Sequence, residues 1–179
     1  MKFVALPIAG AMRIEPEPHA DARGHFARVF CREAFEAHGL VGALSQMSVS
    51  WNHKAGTLRG LHYQMAPWGE NKLVRVTRGA LFDVLLDLRP SSPSYRQWTG
   101  VALSADNAHA VYIPAGVAHG FLTQVDGTEV LYAMDVPFRP EAARGLRWND
   151  PAFDIAWPQT QGLTISERDA GYPDYEHAR

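Results

Sequence analysis

Gly56-Thr57-Leu58-Arg59-Gly60-Leu61-His62-Tyr63-Gln64, followed closely by Lys72-Leu73-Val74-Arg75, is the stretch on which the reading of this chain turns. Leu58, Leu61, Leu73 and Val74 surround one imidazole, two guanidinium groups and one ammonium. Charged side chains are rarely buried unless they are paired. A strand pair that places a titratable base and three cations among core-type residues therefore suits the lining of a pocket for an anionic ligand, with His62 placed for proton transfer. A solvated basic strand with a hydrogen-bonded core histidine is the alternative on this segment alone.

A second segment bears on that choice. Tyr112-Ile113-Pro114-Ala115-Gly116-Val117-Ala118-His119-Gly120-Phe121 reads as strand, tight Pro/Gly turn and strand, with His119 at the start of an apolar run. Two histidines at strand ends are better explained by a shared cavity than by two separate core positions.

Outward from these segments the chain is a series of short β-type runs. They are expected at Ser45–Asn52, Thr57–Gln64, Lys72–Arg78, Ala80–Leu88, Gln97–Leu103, Ala110–Ile113, Ala118–Gln124 and Glu129–Asp135. Arg78-Gly79 and Asp126-Gly127 supply turns. One helix is expected from Cys31 to His38, stopped by Gly39. Many short strands in one unit predict a sandwich or barrel. The apolar run Phe3–Ala11 follows a single basic residue and is interrupted by Pro7, so it reads as a first strand rather than a signal peptide. The segment after Asn149, rich in Pro, Asp and Gly, is expected to wrap the barrel surface.

A length of 179 residues suits a single domain spanning 1–179 with a substantial core. Hydrophobic residues make up 46% and the formal net charge is −2, which gives no electrostatic reason to expect nucleic-acid binding. No stretch is long enough to span a bilayer as a helix. The one cysteine, Cys31, excludes an intrachain disulfide and fits a reducing, cytoplasmic setting.

Several blocks resemble the nucleotide-sugar 3,5-epimerases, in that family's order. They are Asp21-Ala22-Arg23-Gly24-His25-Phe26, Arg59–Gln64, Lys72–Val76, Asp83–Arg89, Ser91–Ser94, Ile113–Phe121, Trp148–Pro151, Ile155–Pro158 and Ser166-Glu167-Arg168-Asp169. The resemblance implies an all-β, cupin-type jelly roll (a double-stranded β-helix) with one short N-terminal helix. It also implies epimerisation of a nucleotide-linked 4-keto-6-deoxy sugar at C3 and C5, as in the conversion of dTDP-4-dehydro-6-deoxy-glucose to dTDP-4-dehydro-L-rhamnose.

Both carbons flank the ketone, so inversion requires a base on one face, a stabilised enolate and an acid on the other. His62 suits the base, because an imidazole titrates near the working pH. By resemblance Asp169 orients it, although Ser166-x-x-Asp169 also reads as a helix capping box. Lys72 is the candidate for holding the C4 oxyanion and Tyr132 for the acid; read without the family they are an edge-strand lysine and a core aromatic. Arg59 and Arg23 match the diphosphate-binding positions, Phe26 the stacking position, Gln46 a sugar or base contact, and His119 a secondary role beside the base. The family's Arg23–Phe26 arm implies a homodimer with sites composed from both chains. No NAD, flavin or metal is implied.

Four positions depart from the best-known members: Arg28 for glutamate, Ser48 for asparagine, and Pro137-Phe138 for a pair of tyrosines. They leave open the nucleotide base, the sugar, and whether one or both centres are inverted. Alternatives from the residues are a mono-epimerase, a metal-dependent cupin and a non-catalytic sugar-nucleotide binder. Gln64 weakens the metal reading, since it stands where a second ligand is expected and a neutral amide is a poor one.

Overall fold

Residues 1–175 are described by a computed structural model. Along them run β1 (Lys2–Ala5), β2 (Met12–Glu15), β3 (His19–Asp21), β4 (Gly24–Phe26), α1 (Arg32–Ala37), β5 (Gln46–Asn52), β6 (Leu58–Gln64), β7 (Lys72–Arg78), β8 (Ala80–Asp87), β9 (Trp98–Ser104), β10 (Ala110–Ile113), β11 (Val117–Thr123), β12 (Thr128–Met134), β13 (Ala143–Gly145) and α2 (Glu167–Ala170). The eight strands expected between Ser45 and Asp135 are all present, each to within one residue at either end. Of the run Phe3–Ala11 expected as a first strand, only its start lies in β1, and residues 6–11 turn the chain into β2; α1 lies inside the expected helix, with Gly39 at φ 72° behind it. A second, one-turn helix, α2, begins at the Ser166-x-x-Asp169 capping box.

The strands form a six-stranded sheet, β1-β2-β10-β7-β12-β5, facing a five-stranded sheet, β13-β6-β11-β8-β9. The hairpin β3–β4 stands apart. The ladders between named strands are antiparallel, and neighbours such as β6 and β11 or β7 and β12 are far apart in sequence. This is the expected cupin-type jelly roll.

The inner faces of both sheets meet in one core. Val74, Val76, Val111, Ile113 and Val130 come from the first sheet, and Leu81, Leu85, Val101, Leu103, Val117 and Phe121 from the second. Alternation along each strand puts these residues on one side of the pleat. The other side of the five-stranded sheet is covered by the segment after β13, where Leu146, Phe153 and Trp157 pack on Leu58, Val84, Leu86, Ala118 and Leu122. That is the expected wrapping segment. Covered on both faces, β11 is buried along its whole length. Phe35 of α1 packs with Leu40 on Leu73, Ala110, Tyr112 and Ala133 of the six-stranded sheet.

At the end of β8 the buried Asp87 carboxylate accepts from Arg89 Nε at 2.8 Å, Arg89 N at 3.0 Å and Ser94 Oγ at 2.6 Å. Arg89 also donates to the Ala9 carbonyl at 2.7 Å, which ties the loop between β1 and β2 to this turn. Burial alone would raise the Asp87 carboxyl, but the bonds from Arg89, Ser92 and Ser94 outweigh it and hold it well below the usual carboxylate range.

Candidate active site

One end of the sandwich opens into a cavity of about 450 Å³, lined by side chains of both sheets. His62, Arg59, His119 and Phe121 enter from β6 and β11. Lys72, Tyr132, Met134, Gln46 and Ser48 enter from β7, β12 and β5, and Glu70 and Phe138 from loops at the rim. Six of the nine residues singled out in the sequence thus meet in one space. Of the other three, Asp169 stands behind His62, and Arg23 and Phe26 lie on the separate hairpin.

His62 and His119 are directly opposed in the β6–β11 ladder, so their side chains share a face. The ladder shifts register just beyond them, where Gly60 meets Gly120. A Cβ on Gly60 would lie 2.5 Å from Gly120 Cα, and Gly60 has φ 122°. Only glycine allows the two strands this approach.

His62 Nε2 lies 2.8 Å from Asp169 Oδ1, and the Gly60 N–H donates to Asp169 Oδ2 at 3.0 Å. Burial pushes the Asp169 carboxyl up, but the hydrogen bonds from His62 and Gly60 prevail and hold it below its usual value. An ionised carboxylate only accepts, so the imidazole proton sits on Nε2 and the lone pair on Nδ1. Asp169 makes the contacts of both readings. Its backbone N–H donates to Ser166 Oγ at 3.1 Å, which starts α2, while its carboxylate reaches His62.

His119 has a carboxylate of its own. Its Nε2 lies 2.6 Å from Asp83 Oδ1, with both side chains buried. Asp83 Oδ2 has no hydrogen-bond partner among the described residues. Asp83 was not singled out in the sequence, where it sits within the apolar run Phe82–Leu86. A lone acid in such a run was the available signal.

Lys72 is not an edge-strand lysine. It is buried on β7, between β10 and β12, and its Nζ is 3.0 Å from Glu70 Oε1 and 3.3 Å from the His62 carbonyl. An ammonium has three protons, so one is free for a ligand. Glu70 is the counter-ion of Lys72, and Gln64 holds its other oxygen. The Gln64 amide donates to Glu70 Oε2 and the Trp68 carbonyl at 3.1 Å and accepts from Arg139 N at 2.6 Å. Gln64 is thus committed to the rim loops. Among the described residues no three His, Cys, Asp or Glu side chains are grouped as ligands for a metal.

Tyr132 meets His119 edge-on, with ring centroids 6.0 Å apart. Burial, and then the negative charge of Asp83, push its phenol well above the usual value, against a smaller opposing effect of Arg59. The hydroxyl therefore stays protonated, as a donor must. Arg59 is held by Asn52 Oδ1 at 2.8 Å from its Nε and has no ion pair among the described residues. Its terminal nitrogens remain for an anion. Gln46 Oε1 accepts from Phe138 N at 3.0 Å.

Arg23 and Phe26 sit on the β3–β4 hairpin, with the Arg23 side chain 90% exposed and Phe26 76% exposed. Among the described residues Arg23 is paired only with Asp21 of its own turn.

Residues 5–177 match the family described as dTDP-4-dehydrorhamnose 3,5-epimerase. The chain is 42% identical to the dTDP-4-dehydrorhamnose 3,5-epimerase of Sinorhizobium fredii, over 97% of this chain and 89% of that protein. The crystal structure of the dTDP-4-dehydrorhamnose 3,5-epimerase of Elizabethkingia anophelis superposes with a TM-score of 0.96 at 32% identity, covering 99% of this chain and 97% of that one. ChmJ, a 3′-monoepimerase of Streptomyces bikiniensis in complex with dTDP-quinovose, superposes with a TM-score of 0.88 at 34% identity, covering 96% and 86%.

Proposed function

The chain belongs to the dTDP-4-dehydrorhamnose 3,5-epimerase family, and on that premise we propose that it inverts C3 and C5 of dTDP-4-dehydro-6-deoxy-glucose by proton transfer alone. One observation carries the reading. A carboxylate-oriented imidazole on one sheet and a protonated phenol on the other line the same cavity.

His62 Nδ1 takes the proton from the carbon beside the ketone, and the electron pair moves onto the C4 oxygen. Lys72, with His119 beside it, holds that oxyanion in a site screened from water. Tyr132 returns a proton from the opposite face, which leaves the centre inverted. The phenolate is reprotonated, and His62 releases its proton, through solvent. Substrate and product are isomers, so the step balances without an oxidant or reductant. The substrate's ketone is the electron sink, and no cofactor is assigned.

Arg59 binds the diphosphate from within the chain, and Gln46 contacts the sugar or base. Arg23 and Phe26 act in trans, with the hairpin of one protomer reaching the cavity of its partner. Their exposure supports this, as do Met47, Val49 and Trp51, exposed along edge strand β5. The assembly is a homodimer. Cys31 is the only cysteine, which suits the cytoplasm, and no helix among the described residues is long and apolar enough to cross a membrane.

Phe138 favours one second reading, inversion at a single centre. It stands at the cavity without the hydroxyl that a tyrosine would offer there, and a lost polar contact can remove one of two sugar poses. Turnover of dTDP-4-dehydro-6-deoxy-glucose in deuterated water tests both. Label at C3 and C5 with accumulation of the L-configured product supports double inversion. Label and inversion confined to one carbon supports the second reading, and no exchange at either overturns both.

A further inference from the structure

Among the described residues the His62 imidazole is held through hydrogen bonding by a single bond at Nε2, and its side chain is 42% exposed. One bond at one edge leaves a ring free to swing about that edge. A second contact is needed to fix its plane, and β13 provides room for one. Gly145 is the direct partner of His62 in the β13–β6 ladder, so a side chain at 145 would stand beside the imidazole. That space is taken by Tyr172. A Cβ on Gly145 would lie 2.1 Å from Tyr172 Cε2 and Cζ, and the Tyr172 ring meets the His62 ring edge-on, at 6.1 Å between centroids and 72° between planes.

Tyr172 is fixed on both sides along the chain. Its hydroxyl accepts from Arg168 Nε at 2.8 Å, and Arg168 is the residue before Asp169 in α2. Three residues on, the Tyr175 N–H donates to the buried Asp150 at 2.6 Å and the Tyr175 hydroxyl lies 2.8 Å from that of Tyr95. The segment that supplies the carboxylate thus also supplies a rigid aromatic wall, and both bear on the same imidazole.

We propose that Tyr172, seated in the gap left by Gly145, is a positioning residue that sets the plane of the His62 ring. The proposal rests on His62 being the proton acceptor. Tyr172 lies outside the cavity lining and acts through His62, so its loss should lower kcat and leave KM nearly unchanged. A displacement of about 1 Å at a reacting group costs up to about a hundredfold in rate.

Tyr172→Ala should reduce kcat at least about tenfold with KM within about twofold, whereas Tyr172→Phe, which keeps the ring, should stay within about twofold of wild type. Gly145→Ala leaves Tyr172 in the chain but expels its ring, and should reproduce the Tyr172→Ala loss. The double variant should be no worse than either single one, because both remove the same contact. Unchanged kcat in Tyr172→Ala, a loss confined to KM, or losses that multiply in the double variant would each overturn the proposal. If Tyr172→Ala does not fold, Gly145→Ala against Tyr172→Phe carries the comparison. The NMR signals of the His62 ring, followed without substrate, should move or broaden in Tyr172→Ala and Gly145→Ala but not in Tyr172→Phe. No change there overturns the seat whatever the substrate is, while a change in a wild-type enzyme that shows no turnover overturns the epimerase reading alone.

Discussion

His62 and His119 are direct partners in one ladder, yet each gives its Nε2 to a different carboxylate, Asp169 for the first and Asp83 for the second. Two imidazoles side by side are thereby kept from bonding to one another through those nitrogens. Both line the cavity, one half-exposed and the other buried in its wall. This difference in access separates a ring suited to exchange protons from one suited to hold an oxygen.

Loss of the base should be nearly complete. His62→Ala should fold, bind dTDP and lose at least about a thousandfold in turnover. Asp169→Asn should lose at least about a hundredfold. If its amide oxygen stays with the buried Gly60 N–H, its NH2 group faces His62 Nε2 and drives the imidazole proton onto Nδ1, where the base is needed. Steady-state rates with dTDP affinity measured alongside check this, and near-normal turnover in His62→Ala would sink the mechanism.

Tyr132→Phe separates abstraction from inversion. The base is untouched, so substrate incubated in deuterated water should still exchange its α-protons. Inverted product should fall at least about a hundredfold, since the opposite-face donor is gone. Equal loss of exchange and inversion, followed by NMR, would mean that Tyr132 does not act as the acid.

Complementation tests the composite site. Arg23→Ala and His62→Ala chains should each be nearly inactive as homodimers. Mixed and reassociated, they should recover activity, up to about one wild-type site per heterodimer, if the hairpin serves its partner. A monomer that is fully active in sedimentation assays would contradict this.

Much of this architecture was legible because its strands advertise themselves. Lys72–Arg78 and Ala110–Ile113 combine β-branched residues with turn residues at their ends, and both were located to the residue. β2 was not expected, and β3, β4 and β13 were not either, these three for a physical reason. They have three residues each, β3 and β4 are fully exposed, and β13 exists because it pairs with β6, so none has an alternation to read. His62 and Tyr132 were singled out as candidates, while the contacts of Asp83 and Glu70 were not anticipated. Their roles depend on which cation or ring the fold brings to them, and that lies in the ladder registers rather than in local spacing.

Acid should weaken the fold partly through Asp87. Its carboxyl is held far below its unfolded value of about 3.9, so it favours the native state above about pH 4 and loses that contribution as falling pH protonates it. Asp87→Asn should lower stability at pH 7 by about 2–4 kcal/mol, leaving Arg89 and two serine hydroxyls short of an acceptor. The gap between wild type and variant should narrow from pH 5 to pH 2, as measured by urea titration. A gap independent of pH would refute the assignment.

Asp169 stands 107 residues downstream of the imidazole that it orients. A ribosome emitting this chain releases β6 early, then every remaining strand of both sheets, and only afterwards the one-turn helix that supplies the carboxylate. A nascent chain can therefore complete its barrel and still leave the histidine without a defined tautomer. Chemical competence is acquired after shape, and an unfinished polypeptide is a vessel without a working base.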